Sequence, residues 1–88
     1  MFTFHTDPGH GWLQVPRKML TELGIAVEIS GYSYQRGPHV YLEEDMDAGT
    51  FGRAYVKKHG KRPEFEEVYK EVTPIRGYSP YQTWLGRD

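Results

Sequence analysis

No cysteine occurs in this 88-residue chain, and that absence limits its fold more than any other feature. A domain of this length buries only about 60–65% of the surface its unfolded form exposes, so one modest core must hold it. Neither a disulfide nor a thiolate metal site is there to reinforce that core. Leu and Ile are scarce, and rings such as Phe2, Phe4, Trp12, Phe51 and Tyr55 have to form much of it. Two tryptophans and seven tyrosines are still more than so small a core absorbs, which leaves some rings at the surface, where they suit partner binding. A cysteine-free composition is compatible with a reducing compartment without singling one out.

The hydrophobic pattern predicts a single α+β domain over residues 1–88. Alternation places strands near 2–6, 12–15, 25–30, 32–35 and 39–43, forming a small, mostly antiparallel sheet. The Ile25, Val27, Ile29 alternation is the cleanest strand signal in the chain. Asp7-Pro8-Gly9 reads as the turn of a hairpin. A short helix is predicted at 17–23, opened by Pro16 and closed by Gly24. The main helix is predicted at 48–59, with Asp47 as its N-cap, Phe51 and Tyr55 on its buried face, and Gly60 as its exit. Residues 64–72 satisfy a helix and a strand equally, because Phe65, Val68, Tyr69 and Val72 have helical spacing while Val and Tyr favour strands. Residues 73–88 form an aromatic tail broken by prolines and glycines, which either wraps the domain or stays loose.

Charge excludes whole classes of function. Eleven basic residues nearly cancel twelve acidic ones, so no global field holds the chain on DNA or an anionic membrane. The apolar runs are far too short for a membrane span, and no basic start precedes one as in a secretion signal.

Three segments, "DPGHGWLQVPRKMLTELGI", "ISGYSYQRGPHVYLEEDMDAGTF" and "PIRGYSPY", together resemble a family of small proteins encoded by bacteriophages, prophages and plasmids. The resemblance runs from about residue 6 to 81, with 53–72 idiosyncratic. It implies a mobile genetic element as origin and the bacterial host cytoplasm as workplace. That family supplies no established activity, catalytic residue or cofactor.

Several chemistries compete. Asp7-Pro8-Gly9-His10-Gly11 is similar to the opening of zinc-dependent N-acetylmuramoyl-alanine amidases, where the histidine binds the metal; His5, Asp7 and His10 are the corresponding candidates here. Those domains are about twice as long by the same resemblance, and no helical His pair with an adjacent glutamate occurs. His39, Glu43, Glu44 and His59 offer further ligand atoms without a ligand spacing. Ser30, Ser33 and Ser79 lie in no nucleophile elbow, and the Gly-containing stretches lack the lysine of a phosphate loop. Arg53, Lys57, Lys58, Lys61 and Arg62 make a basic stretch that could lie along a nucleic-acid backbone, although bases at a helix end also suit the helix dipole. The acidic run at 43–47 similarly suits a helix start. Tyr32, Tyr34, Arg36, Arg76, Tyr78, Tyr81 and Trp84 are the residue types enriched at interface hot spots.

The resulting expectation is a non-enzymatic accessory protein, without cofactor or membrane association, that binds a bacterial host protein, a defence or regulatory factor being the candidate class. Sequence-independent nucleic-acid binding and a small metal-dependent hydrolase are the alternatives.

Overall fold

The computed structural model describes residues 1–82. Along the chain run β1 (Phe2–Thr6), β2 (Gly11–Pro16), α1 (Arg17–Glu22), β3 (Tyr34–Arg36), β4 (His39–Glu43), α2 (Asp47–His59), β5 (Phe65–Tyr69) and β6 (Ser79–Pro80). Two 3-10 turns, Ala26–Glu28 and Pro74–Gly77, complete it. The strands form one six-stranded sheet in the order β5-β1-β2-β4-β3-β6, antiparallel except where β5 joins β1. This is the α+β architecture that the pattern predicts. Among the described residues no helix is long and apolar enough to cross a membrane.

The two faces of the sheet are built differently. Leu13, Val15, Val40 and Leu42 project toward the helices and pack with Leu20, Ile25, Ile29, Phe51 and Tyr81 in the main core. Phe51 is fully buried, and Phe2 meets it edge-on with ring centroids 5.4 Å apart. Burying a side chain of that size stabilises by about 1.5–3 kcal/mol, which fixes α2 across the sheet. Trp12, Tyr41 and Ile75 form a smaller aromatic cluster on the opposite face, joined by Tyr34 and Tyr78. Burial and the neighbouring Tyr78 push the Tyr41 phenol above its usual pKa.

Gly11 is required by close approach. A Cβ there would lie 2.6 Å from the Phe4 ring, which crosses over the hairpin partner strand. Gly60 ends α2 in the left-handed region at φ 74°, with its N–H donating to the Val56 carbonyl.

Two expectations change, and one left open is settled. Residues 25–30 do not pair as a strand: Ala26–Glu28 is a 3-10 turn, Ile25 and Ile29 enter the core, and Val27 is 78% exposed. A strand would send all three side chains to one face, whereas this turn sends only the two four residues apart inward. The free side of β4 is already taken by β3, which begins two residues later than expected. Residues 65–69 are a strand, because an open edge of β1 is available to them. Asp47 does not cap α2. It is the first helical residue, Met46 stands at the N-cap position, and Glu43 accepts the N–H groups of Asp45, Met46 and Asp47 at 2.7–2.8 Å.

The Asp47 side chain turns inward instead. Only 1% exposed, its Oδ2 accepts the Ser30 N–H at 3.0 Å, the Ser30 hydroxyl at 2.7 Å and the Ser33 hydroxyl at 2.6 Å. Ser33 Oγ in turn accepts the Glu43 N–H at 3.0 Å. The start of α2 is thereby tied to the irregular segment that replaces the expected strand.

The described part of the tail wraps the domain. Ile75 caps the aromatic face, β6 extends the sheet beside β3, and Tyr81 enters the main core with its hydroxyl donating to the Ala26 carbonyl at 2.6 Å.

Candidate functional site

The Asp-Pro-Gly-His-Gly segment is occupied by structure. Asp7 Oδ1 accepts the N–H groups of Gly9 and His10, each at 2.9 Å, which shapes the hairpin loop. Arg76 then grips the same carboxylate from a distant part of the chain, with Nε donating to Oδ2 at 2.7 Å and Nη2 to Oδ1 at 3.0 Å. Nη2 also donates to His10 Nδ1 at 2.9 Å, so this ring nitrogen is the acceptor, since a guanidinium has no lone pair to offer. The guanidinium carbon lies 5.3 Å from the centre of the Trp12 ring, on which His10 also stacks. The Arg76 hydrogen bonds hold the Asp7 carboxyl well below the usual carboxylate range.

This geometry gives His5, Asp7 and His10, the alternative metal candidates, other partners. A cation already sits between Asp7 and His10, and His5 Nε2 is engaged with Gln14 Oε1 at 2.7 Å on the strand pair. Among the described residues no group of three or more His, Cys, Asp or Glu side chains is placed to share a metal ion.

The interface candidates separate. Tyr32 is 81% exposed, and Tyr34 and Arg36 are half-buried and exposed respectively. Arg36 lies over the Tyr78 ring, 5.0 Å from its centre. Arg76 is committed to Asp7, and Tyr81 is corrected to a core residue at 5% exposure, because the strand-like exit at β6 turns its ring inward. Trp84 lies outside the described residues. The three rings at 78, 81 and 84 therefore do not provide a common face: the first belongs to the aromatic cluster and the second to the main core.

The basic residues Arg53, Lys57, Lys58, Lys61 and Arg62 are all exposed along the second half of α2 and the segment after it. Arg53 and Arg62 border a feature that the sequence pattern did not flag. Between α2 and the β1–β5 edge runs an open apolar groove of about 760 Å³, floored by Phe4 and Leu13 and walled by Ala48, Gly49, Gly52 and Val56 of the helix. Phe65 closes its other side and is 54% exposed, stacking at a tilt on Phe4. Nothing lies within 4 Å of a Cβ built at Gly52, so the groove is open space where a side chain would otherwise stand. Residues 48, 49, 52, 53 and 56 follow one line of a helix, and two glycines in that line lower helix propensity without any turn to explain them. That was the readable signal. Glu44 sits at one end of the groove against the two arginines at the other parts of its rim.

The outer side of β5 adds to this surface, since among the described residues β5 pairs only with β1 and ends the sheet. Tyr69 on β5 is 55% exposed, and Val56 on α2 is 41% exposed. Large apolar side chains left at a groove beside a sheet-edge strand are what a docking segment uses, the groove taking side chains and the edge offering backbone groups.

No protein-family model matches the chain, and neither a curated protein nor a solved structure matches it.

Proposed function

We propose that this chain is a non-enzymatic accessory protein of a phage or other mobile genetic element that acts in the bacterial host cytoplasm by binding a host protein. The contact is the α2–β5 groove, and its occupant is an apolar segment of the host protein flanked by acidic residues. The single observation that carries this reading is the 760 Å³ groove with Val56, Phe65 and two exposed rim arginines, Arg53 and Arg62, around an apolar floor. Its size lies in the range of pockets that take a few side chains. Two arginines against one glutamate on its rim favour an acidic partner. The commitment of Asp7 and His10 to Arg76 leaves the opening motif with a structural task, which supports the non-enzymatic reading.

Affinity capture from bacterial lysate tests this, provided it is repeated after nuclease treatment and after chelation. The reading expects a host protein to be retained in all three conditions and lost when Gly52→Trp fills the groove. The variant must keep the melting temperature of the parent within a few degrees, because residue 52 faces open space. Retention abolished by nuclease would move the function to the basic stretch at 53–62. Retention abolished by chelation would restore a metal-held state, and retention unaffected by Gly52→Trp would remove the groove.

A further inference from the structure

A second cavity, of about 530 Å³, lies at the opposite edge of the sheet, where the β3–β4 hairpin turn meets the wrapped tail. Its wall includes Arg17, Gln35, Arg36, Gly37, Tyr78 and Ser79, and among the described residues no carboxylate lines it. Among the described residues the sole ion pair is the one between Arg76 and Asp7, so both of these guanidiniums stand without a counter-charge. Two like charges beside one cavity give it a positive potential that attracts an anion.

Each guanidinium is held by a ring. Arg17 lies 5.3 Å from the centre of the Tyr81 ring, and Arg36 lies 5.0 Å from that of Tyr78. Stacking of this kind fixes the plane of the fork and leaves its N–H edges to donate. Arg17 spends Nη2 on Gln35 Oε1, while its Nη1 is buried and has no hydrogen-bond partner. The Arg17 fork is thus held in place by the Tyr81 ring and Gln35 at the edge of the cavity, with Nη1 enclosed behind it. The Ser79 hydroxyl makes no hydrogen bond among the described residues and stands in the same wall.

We propose that this cavity binds a phosphomonoester group through Arg17 and Arg36, with Ser79 as a further donor. Charge selects the ligand class. A phosphomonoester carries about −1.5 to −2 at neutral pH and matches two guanidiniums, whereas a carboxylate would leave one of them uncompensated. The cavity is also larger than inorganic phosphate, so it has room for the group that the phosphate is attached to. The site is independent of the α2–β5 groove and stands or falls without it.

The test is a thermal melt and an amide and guanidinium NMR titration of the full chain, with chloride at matched ionic strength as reference. Inorganic phosphate and adenosine monophosphate are the two probes. The melting temperature should rise with either concentration, and the Arg17 and Arg36 side-chain resonances should shift together and saturate. Tighter binding of the monophosphate is the result expected, and equal binding would show that the attached group adds nothing, which overturns the assignment to an ester. Arg36→Gln, an exposed change that leaves the fold intact, should weaken binding at least tenfold, and Arg53→Gln should leave it unchanged. Equal melting temperatures in phosphate and chloride would overturn the proposal, as would an undiminished response in Arg36→Gln. Should Arg17→Gln unfold, Arg36→Gln still decides. A response equally sensitive to Arg53→Gln would show diffuse charge attraction, which also overturns it.

Discussion

Replacing Asp47 tests how the start of α2 is anchored. Its carboxylate is almost completely enclosed and serves three donors, the Ser30 N–H, the Ser30 hydroxyl and the Ser33 hydroxyl. Asp47→Ala removes the acceptor and strands at least one N–H and one hydroxyl away from water. Each stranded donor costs about 1–3 kcal/mol, so a loss of about 3–5 kcal/mol is expected once the small cavity is included. For a domain of this size, whose total stability is about 4–13 kcal/mol, that is a large share. Asp47→Asn keeps one oxygen in place and should cost less, about 1–2 kcal/mol. Ser33→Ala removes one donor but also strands the Glu43 N–H that Ser33 Oγ accepts, for about 1–3 kcal/mol. The assay is equilibrium urea denaturation at pH 7, with unchanged m-values confirming that stability alone has moved. A double-mutant cycle between positions 33 and 47 should return a coupling of about 0.5–3 kcal/mol. If Asp47→Ala lies within about 1 kcal/mol of the parent, or the coupling is near zero, the buried network does not anchor the helix.

Two glycines should respond to the same substitution with opposite signs. Gly11→Ala drives a methyl into the Phe4 ring and should destabilise by about 1–3 kcal/mol, whereas Gly52→Ala meets only open space inside α2 and should stabilise by about 0.5–1 kcal/mol. Urea melts of the two variants decide this, and a shared sign would refute the groove geometry. Asp7→Asn should be less stable than the parent at neutral pH, with the difference closing in acid. The folded pKa of Asp7 is depressed by Arg76, so its contribution is complete above the unfolded value of about 4 and fades as pH falls toward the folded one. Melting temperatures of both proteins between pH 2 and 7 check it, and a gap that persists unchanged to the acid end would contradict the clasp.

Much of the architecture was readable because local chemistry and tertiary packing agree. At β4 the apolar run Val40-Tyr41-Leu42 and at α2 the helical spacing of Phe51 and Tyr55 point to positions that pack in the core clusters. At 25–30 they disagree: Ile25 and Ile29 satisfy both a strand and a turn, and only the occupied edge of β4 and the Asp47 acceptor for Ser30 decide between them. Residues 65–69 have no preference of their own and become a strand because β1 offers an edge. The candidate site was less legible for a related reason. Asp7 and Arg76 are separated by nearly the whole chain, so nothing in the opening motif reveals that a guanidinium will occupy it. The groove is written in missing side chains, Gly49 and Gly52, and is completed by a strand placed beside it by topology alone. Tyr81 has the composition of an interface residue and the position of a core one.

Site-specific photocrosslinking in bacterial cells addresses the central claim most directly. A photoreactive amino acid is placed at position 56, in the groove wall, and separately at position 27, which is exposed on the 3-10 turn away from the groove. The account predicts one discrete host-protein adduct from position 56, absent from position 27 and lost when Gly52→Trp is added. An adduct from position 27 alone, or none from position 56 in cells where the protein is active, would contradict it.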